Sequence, residues 1–380
     1  MKTKQLIVFS DDWGRHPSSC QHLVRRLLPD CEVTWVNTIG TRPVRFDWTT
    51  LKRGTEKIVQ WAFAPKQPKS TTDTEPSPKT LNPLMWPSFS SPWNRRLNRK
   101  LLSRALKKNI VDLKDAVVLT TIPITADLVD AVEVDRWVYY CVDDFSVWPG
   151  LDSQTLAMLE KSLIQKVDHI VTAGSNLASL IKEQGKESTI ISHGVDLEHW
   201  TNSATDNPPE LFQDLEKPLA VFWGLIDQRL DLEYLQALSD SMTEGTVVLV
   251  GPQQNPSPEL EKIPRLHCTG PVDYNQLPQI AEAADVLIMP YIDAPVTRAM
   301  QPLKLKEYLA TGKPVVARDL PSVDQWADCL DVAQTPQEFA AAVNRRFTEK
   351  PSDSQVHARK RLLEEGWNSK AEQLKIILFD

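Results

Sequence analysis

The sequence predicts an α/β fold of two successive units, each a parallel sheet flanked by helices, and three observations carry that prediction. A chain of 380 residues, 41% hydrophobic and 24% charged, has globular composition and is long enough for two cores. Continuous apolar runs such as Leu6-Ile7-Val8-Phe9 and Leu219-Ala220-Val221-Phe222-Trp223 lack the alternation of a half-exposed strand and fit strands buried on both faces. The two halves share a rhythm of strand, loop and helix, with no repeat of solenoid period.

Charge and cysteine content exclude several classes. A net charge of −7 is opposite to the basic footprint of a general nucleic-acid binder. Cys20, Cys31, Cys141, Cys268 and Cys329 are odd in number and never form a CxxC pair, which fits a reducing cytoplasm and argues against a cysteine-rich zinc site. The amino terminus, MKTKQLIVFSDDWG, has acidic residues where a signal peptide carries its cleavage site, and reads as a first strand. No apolar stretch is long enough to span a bilayer, so any membrane contact is expected to be peripheral. The 12 tryptophans read as packing residues rather than a sugar-stacking platform.

Taken in order, the first strand ends in a loop over residues 10–19 with one glycine and no GxGxxG, so a dinucleotide fingerprint is absent. His16 in this loop is either a solvated or capping side chain or a catalytic group. Residues 20–28 read as a helix and 31–36 as the second strand. Residues 64–93, rich in Pro, Ser and Thr, read as a long loop. Residues 94–108, NRRLNRKLLSRALKK, read as an amphipathic basic helix with Leu97, Leu101, Leu102 and Leu106 near one face. With Leu84, Met85, Trp86 and Phe89 before it, the segment 84–108 has the make-up of one that lies on an anionic membrane surface; a solvated basic face is the alternative.

Residues 116–121 and 137–142 are further strands. The latter ends in Asp143-Asp144, adjacent carboxylates where open α/β sheets bind ligands, able to act as a base, to hold hydroxyls or to hold a metal, the last disfavoured because the spacing is not that of a DxD motif. A helix over 153–167, a strand over 168–173 leading to a helix cap at Ser175, and a strand over 188–192 follow. In the turn His193-Gly194-Val195-Asp196, Gly194 is expected at positive φ. Residues 201–218, polar and proline-bearing, read as a linker.

The second unit opens with the strand 219–224, a loop containing Arg229, and a helix from Asp231. Arginine can engage two phosphate oxygens at once; a salt bridge to Asp227 or Asp231 is the other reading. Strands over 246–251, 266–270 and 285–290 lead to an irregular loop, 291–301. Pro302 is placed to begin a helix, residues 303–310 suit one, and Gly312 stops it before a buried strand over 314–317. Lys304 and Glu307 fall one turn apart on one face, so the helix start can present N–H groups to an anion and a carboxylate to a hydroxyl pair. Residues from 322 to about 350 read as helical, and 354–380 as a final charged helix or pair.

The run LHCTGPVDYNQLPQIAEAADVLIMPYIDAPVTRAMQPLKLKEYLATGKPVVA, Leu266 to Ala317, resembles without a gap the carboxy-terminal signature of GT-B glycosyltransferases, particularly the retaining family 4 (group 1) enzymes of bacterial polysaccharide biosynthesis. Residues 193–196 are similar to that family's Asn-Gly-Val-Asp turn. The resemblance implies two Rossmann-like domains facing a central cleft: an acceptor-side domain over 1–205, a donor domain over 206–355, and a helix over 356–380 crossing back. It implies transfer, with retention, of a sugar from a nucleotide diphosphate sugar to a glycan or lipid-linked saccharide, in the cytoplasm or at the inner membrane face, with no metal or other cofactor. Donor contacts are expected at Gly224, Arg229, Arg298, Lys304 and Glu307, the last on the ribose hydroxyls. His16, Asp143 or Asp144 is the expected catalytic group. The chain departs from the family at Ala299, where the first of two glutamates is usual, and at Asp143-Asp144, where the family has a histidine nearby. Those departures keep two alternatives open, a non-catalytic sugar-nucleotide-binding partner in an assembly complex and a sugar-nucleotide epimerase.

Overall fold

The structure, a computed structural model, describes residues 4–14, 18–38, 76–147, 151–201 and 209–380; His16 and residues 64–75 of the expected loop lie outside them. The chain divides into two compact units, Met1–Ser192 with Lys370–Asp380, and His193–Ser369. Each is built on its own parallel sheet.

The first unit carries seven strands: β1 (Lys4–Ser10), β2 (Cys31–Asn37), β3 (Lys79–Leu81), β4 (Ala116–Thr120), β5 (Arg136–Cys141), β6 (His169–Thr172) and β7 (Thr189–Ile190), in the order β3-β2-β1-β4-β5-β6-β7. Leu6 pairs in register with Val33 on one side and Val117 on the other, and Leu6 to Phe9 are buried throughout. A central strand covered by helices on both faces has no wet side, which is why its sequence does not alternate. The stretch expected to be all loop holds β3, three residues pairing with β2. So short an edge strand leaves no periodic signal. The basic helix runs Pro92–Asn109, with Pro at its first turn and Ser91 accepting from Asn94 N as N-cap.

The second unit carries β8 (Leu219–Trp223), β9 (Thr246–Val250), β10 (Leu266–Gly270), β11 (Val286–Met289), β12 (Val315–Arg318) and β13 (Asp331–Ala333), in the order β10-β9-β8-β11-β12-β13. Chain order reverses between β8 and β11, both of which are buried along their length. Their carboxyl ends therefore form a crevice from which successive connections depart to opposite sides. Three elements differ from expectation. The loop 291–301 contains a short helix, Pro295–Ala299; the helix expected from Pro302 begins at Lys304; and β13 lies in a stretch expected to be helical. β13 is another three-residue edge strand.

The division at Ser192/His193 precedes the boundary expected from the polar linker, at 205/206, and Lys370 rather than residue 356 opens the closing segment of the first unit. The turn 193–196 is bound into the second unit by its backbone. Val195 N donates to Glu365 O at 2.9 Å, Val195 forms a parallel bridge with Gly366, and Lys306 Nζ donates to both His193 O and a Glu365 carboxylate oxygen. Gly194 is not at positive φ, contrary to expectation. Its requirement is space, because a Cβ there would lie 2.6 to 2.9 Å from the ring and Cα of Trp367. Gly194→Ala is expected to lower unfolding stability by about 1–3 kcal/mol, the usual cost of overpacking a filled site, read from urea unfolding. An unchanged midpoint would mean that Trp367 moves aside freely.

Candidate functional site

The crevice at the carboxyl ends of β8 and β11 brings together Gly224, Arg229, Tyr291, Lys304 and Glu307. Lys304 opens the helix Lys304–Ala310 and brings its ammonium against Phe222, Gly224 and Tyr291. The Nζ donates to Tyr291 Oη at 2.7 Å and lies 4.0 Å from the Phe222 ring centroid, a cation–π contact. Gly224, at φ +136, leaves the room it needs: a Cβ there would run into the Lys304 side chain. Burial, reinforced by the Arg229 charge, pushes the Lys304 pKa down to about 7.

Arg229 realises one of its two expected pairings. Its guanidinium meets Asp227, Nε lying 3.0 Å from each carboxylate oxygen. Asp231 is occupied differently, capping the helix Leu232–Ser241 and pairing with Arg318. Asp227 thus holds Arg229 in place while the guanidinium still acts electrostatically on Lys304. Lys304 and Arg229 set two cations side by side in a partly enclosed place, with the Asp227 and Glu307 carboxylates acting on Lys304 from beside them; the cationic pair is the part of the crevice that suits an anion.

Glu307, one turn beyond Lys304, takes long hydrogen bonds from Trp223 Nε1 at 3.4 Å and Tyr274 Oη at 3.5 Å. Burial raises its pKa to about 7, opposed by those two donors and by Lys304. Around it stand aromatic rings: Trp223 packs edge-on against Tyr308 at 4.2 Å and stacks on Trp200 at 5.4 Å, and Tyr274 stacks on His199 at 4.4 Å. The crevice therefore offers a cationic corner and, on the next turn, a carboxylate against aromatic faces.

The other expected residues lie elsewhere. Arg298, on the helix Pro295–Ala299, is 58% exposed and forms a bidentate pair with Asp293. Asp143 and Asp144 follow β5 in the first unit, at the carboxyl end of the sheet as expected. Asp144 is turned onto its own loop, accepting from Ser146 N at 3.0 Å and Ser146 Oγ at 2.5 Å. Below them Glu160 is buried, accepts from Tyr139 Oη at 2.5 Å, and is held protonated more readily than usual by that burial. Among the described residues no group of three or more His, Cys, Asp or Glu side chains is arranged to hold a metal ion.

Residues 219–349, which contain all five expected donor contacts, match the family described as Glycosyl transferases group 1. TuaH of Bacillus subtilis (strain 168), which is named for a glycosyltransferase of teichuronic acid biosynthesis, is 30% identical over 174 residues, 44% of each chain. Residues 219–349 thus carry the group 1 glycosyltransferase match, over about a third of the chain. The match to TuaH spans less than half the length of that relative. The sucrose-phosphate synthase of Thermosynechococcus elongatus aligns over 98% of both chains with a TM-score of 0.70 at 15% identity. Anabaena Alr3699/HepE, in a structure with UDP-glucose, aligns over 98% of this chain and 99% of its own with a TM-score of 0.66 at 12% identity. At such identities the likeness speaks for the fold, which is GT-B.

Within this matched region Tyr291, Trp223, Tyr274 and Lys306 join the site or its support without having been singled out in the sequence. Tyr291 lies two residues past the end of β11, the one local signal that pointed to it. Trp223 and Tyr274 reach Glu307 from 84 and 33 positions away, a proximity no local pattern encodes. Both charges, half-buried in the crevice, cost stability, with opposite pH dependence. Glu307, raised in the fold, contributes no penalty while protonated in both states; the penalty grows above its ordinary 4.5 and is complete above about 7. Lys304, lowered in the fold, contributes its full penalty below about 7 and loses it as pH rises toward 10.5. Glu307→Gln is therefore expected to stabilise the unliganded protein in alkaline solution, by up to about 3 kcal/mol, and to leave it unchanged near pH 4.5. Lys304→Met should show its gain below neutrality. Thermal unfolding across pH checks both, and a pH-independent difference would contradict the burial account.

Proposed function

We propose that this protein transfers a sugar from a nucleotide diphosphate sugar to a glycan or lipid-linked saccharide in cell-surface polysaccharide synthesis, with retention at the anomeric carbon. The observation that carries the reading is the placement of Lys304 and Glu307 on successive turns of one helix at the β8/β11 crevice. A departing nucleoside diphosphate develops negative charge at its bridging oxygen. Lys304 and Arg229, fixed before the ligand arrives, lie where that charge is stabilised without reorganising solvent. Glu307 accepts from the ribose hydroxyl pair, and that fixed contact orients the donor so that its anomeric carbon stays within reach of an acceptor hydroxyl. Support comes from the named role of TuaH and from the UDP-glucose carried by the HepE structure. His16, Asp143 and Asp144 are the proposed acceptor-side groups, and Arg298 a proposed outer donor contact. The five cysteines are unpaired, which suits work in a reducing cytoplasm.

The Lys304 ammonium takes the diphosphate as a cation, so above about 7 its proton must be taken up with the ligand. Binding of UDP, GDP, ADP or TDP is expected to raise the melting temperature for one nucleotide family. Above neutrality it should be accompanied by proton uptake, read as a dependence of the calorimetric heat on the buffer's ionisation enthalpy. Lys304→Met should abolish the uptake and weaken binding by about 10- to 100-fold, the range expected on losing a charge-assisted contact of about 1.5–3 kcal/mol. Incubation of the matching nucleotide sugar with a saccharide acceptor should then release free nucleotide together with a longer glycan. Stabilisation without turnover would favour the binding-partner reading, and an epimerised sugar without free nucleotide the epimerase.

A further inference from the structure

We infer that the helix Pro92–Asn109 and the loop before it form a surface that docks on an anionic lipid bilayer. The helix holds seven cations and no acidic residue, in a chain whose net charge is −7. Its inward side is settled by Asn98, Leu102 and Leu106, all buried, and by Arg95, which is clamped bidentately by Asp127 at 2.7 and 2.8 Å. The remaining six cations, Arg96, Arg99, Lys100, Arg104, Lys107 and Lys108, are exposed. Leu97, expected on the buried face, is 42% exposed instead.

Apolar side chains share this surface. Leu84, Trp86 and Trp93 are 65%, 49% and 78% exposed, while Met85 and Phe89 between and beyond them are buried. The loop is not loosely attached. The buried Asn98 side chain accepts from Trp86 N at 2.7 Å and donates to Trp86 O at 3.0 Å and Ser88 O at 3.1 Å. The fold therefore spends a buried amide on fixing a loop whose neighbouring large side chains face water. Exposed tryptophans and leucines beside a dense cationic helix match the two demands of a membrane interface, apolar insertion and attraction to acidic headgroups. A nucleic acid or other polyanion would use the cations and leave Leu84 and Leu97 without a role. No described helix is long and apolar enough to cross a membrane, so the contact is interfacial. The inference rests on the first unit and does not depend on the transfer reading.

The test uses the full chain with phosphatidylcholine vesicles, with and without phosphatidylglycerol, at low and high salt. Wild type is expected to sediment with the anionic vesicles and to be released by salt, and brominated acyl chains should quench part of its tryptophan emission. The triple variant Arg96→Gln/Lys100→Gln/Arg104→Gln should bind about 100-fold more weakly, from about 0.7 decade per neutralised cation. The conservative pair Trp86→Phe/Trp93→Phe should keep its binding and its thermal transition but lose most of the quenching. Equal sedimentation with neutral and anionic vesicles, unchanged binding of the triple variant, or binding without quenching would each overturn the inference, the last by pointing to a polyanion-binding face.

Discussion

Lys304 sits where two sheet strands that are far apart in sequence end side by side, and the second unit is arranged to keep its ammonium there. Phe222 supplies a ring face, Tyr291 a phenol oxygen, Gly224 the absence of a side chain. None of these fully replaces the water an ammonium loses, and the Arg229 charge adds to the cost. A cation held under those conditions is stabilised most by an anion that brings charge into the crevice. The same burial that weakens the unliganded protein would thus favour an anion entering the crevice, as the proposed reading requires.

The short helix Lys304–Ala310 can hold such a group in place because it is secured on its other sides. Lys306 binds His193 O and Glu365, and Tyr308 Oη accepts from Trp223 N at 3.0 Å. Lys306 turns away from the crevice, and Tyr308 supports the strand end that also donates the Trp223 indole to Glu307. Seven residues are too few for a helix stable on its own. Tertiary anchoring supplies what helix propensity cannot, and it also sets the spacing of the ammonium and the carboxylate.

The first unit places its carboxylates differently. Asp144 is satisfied within its own turn and Glu160 is buried against Tyr139; neither stands beside a pair of cations as Glu307 does in the β8/β11 crevice. Its distinctive surface is the basic helix with its exposed tryptophan and leucine side chains, where the cost takes another form, apolar area left in water.

The sequence by itself determined the α/β class, the positions of the longer strands and the pairing of Lys304 with Glu307 on one helix face. These depend on local quantities: apolar runs, loop residues and a three-residue spacing. It did not reveal β3 or β13, edge strands too short to show a period, nor the start of the crevice helix at Lys304 rather than Pro302. Tertiary structure alone decided that Arg229 pairs with Asp227 while Arg318 takes Asp231, that Trp223 and Tyr274 converge on Glu307, that Gly194 is required by Trp367 and not by its φ, and that Leu97 faces outward while Asn98 is buried. Each of these is a contact between residues brought together by sheet order or packing, and sequence periodicity carries no information about which distant side chain will fill the space beside it.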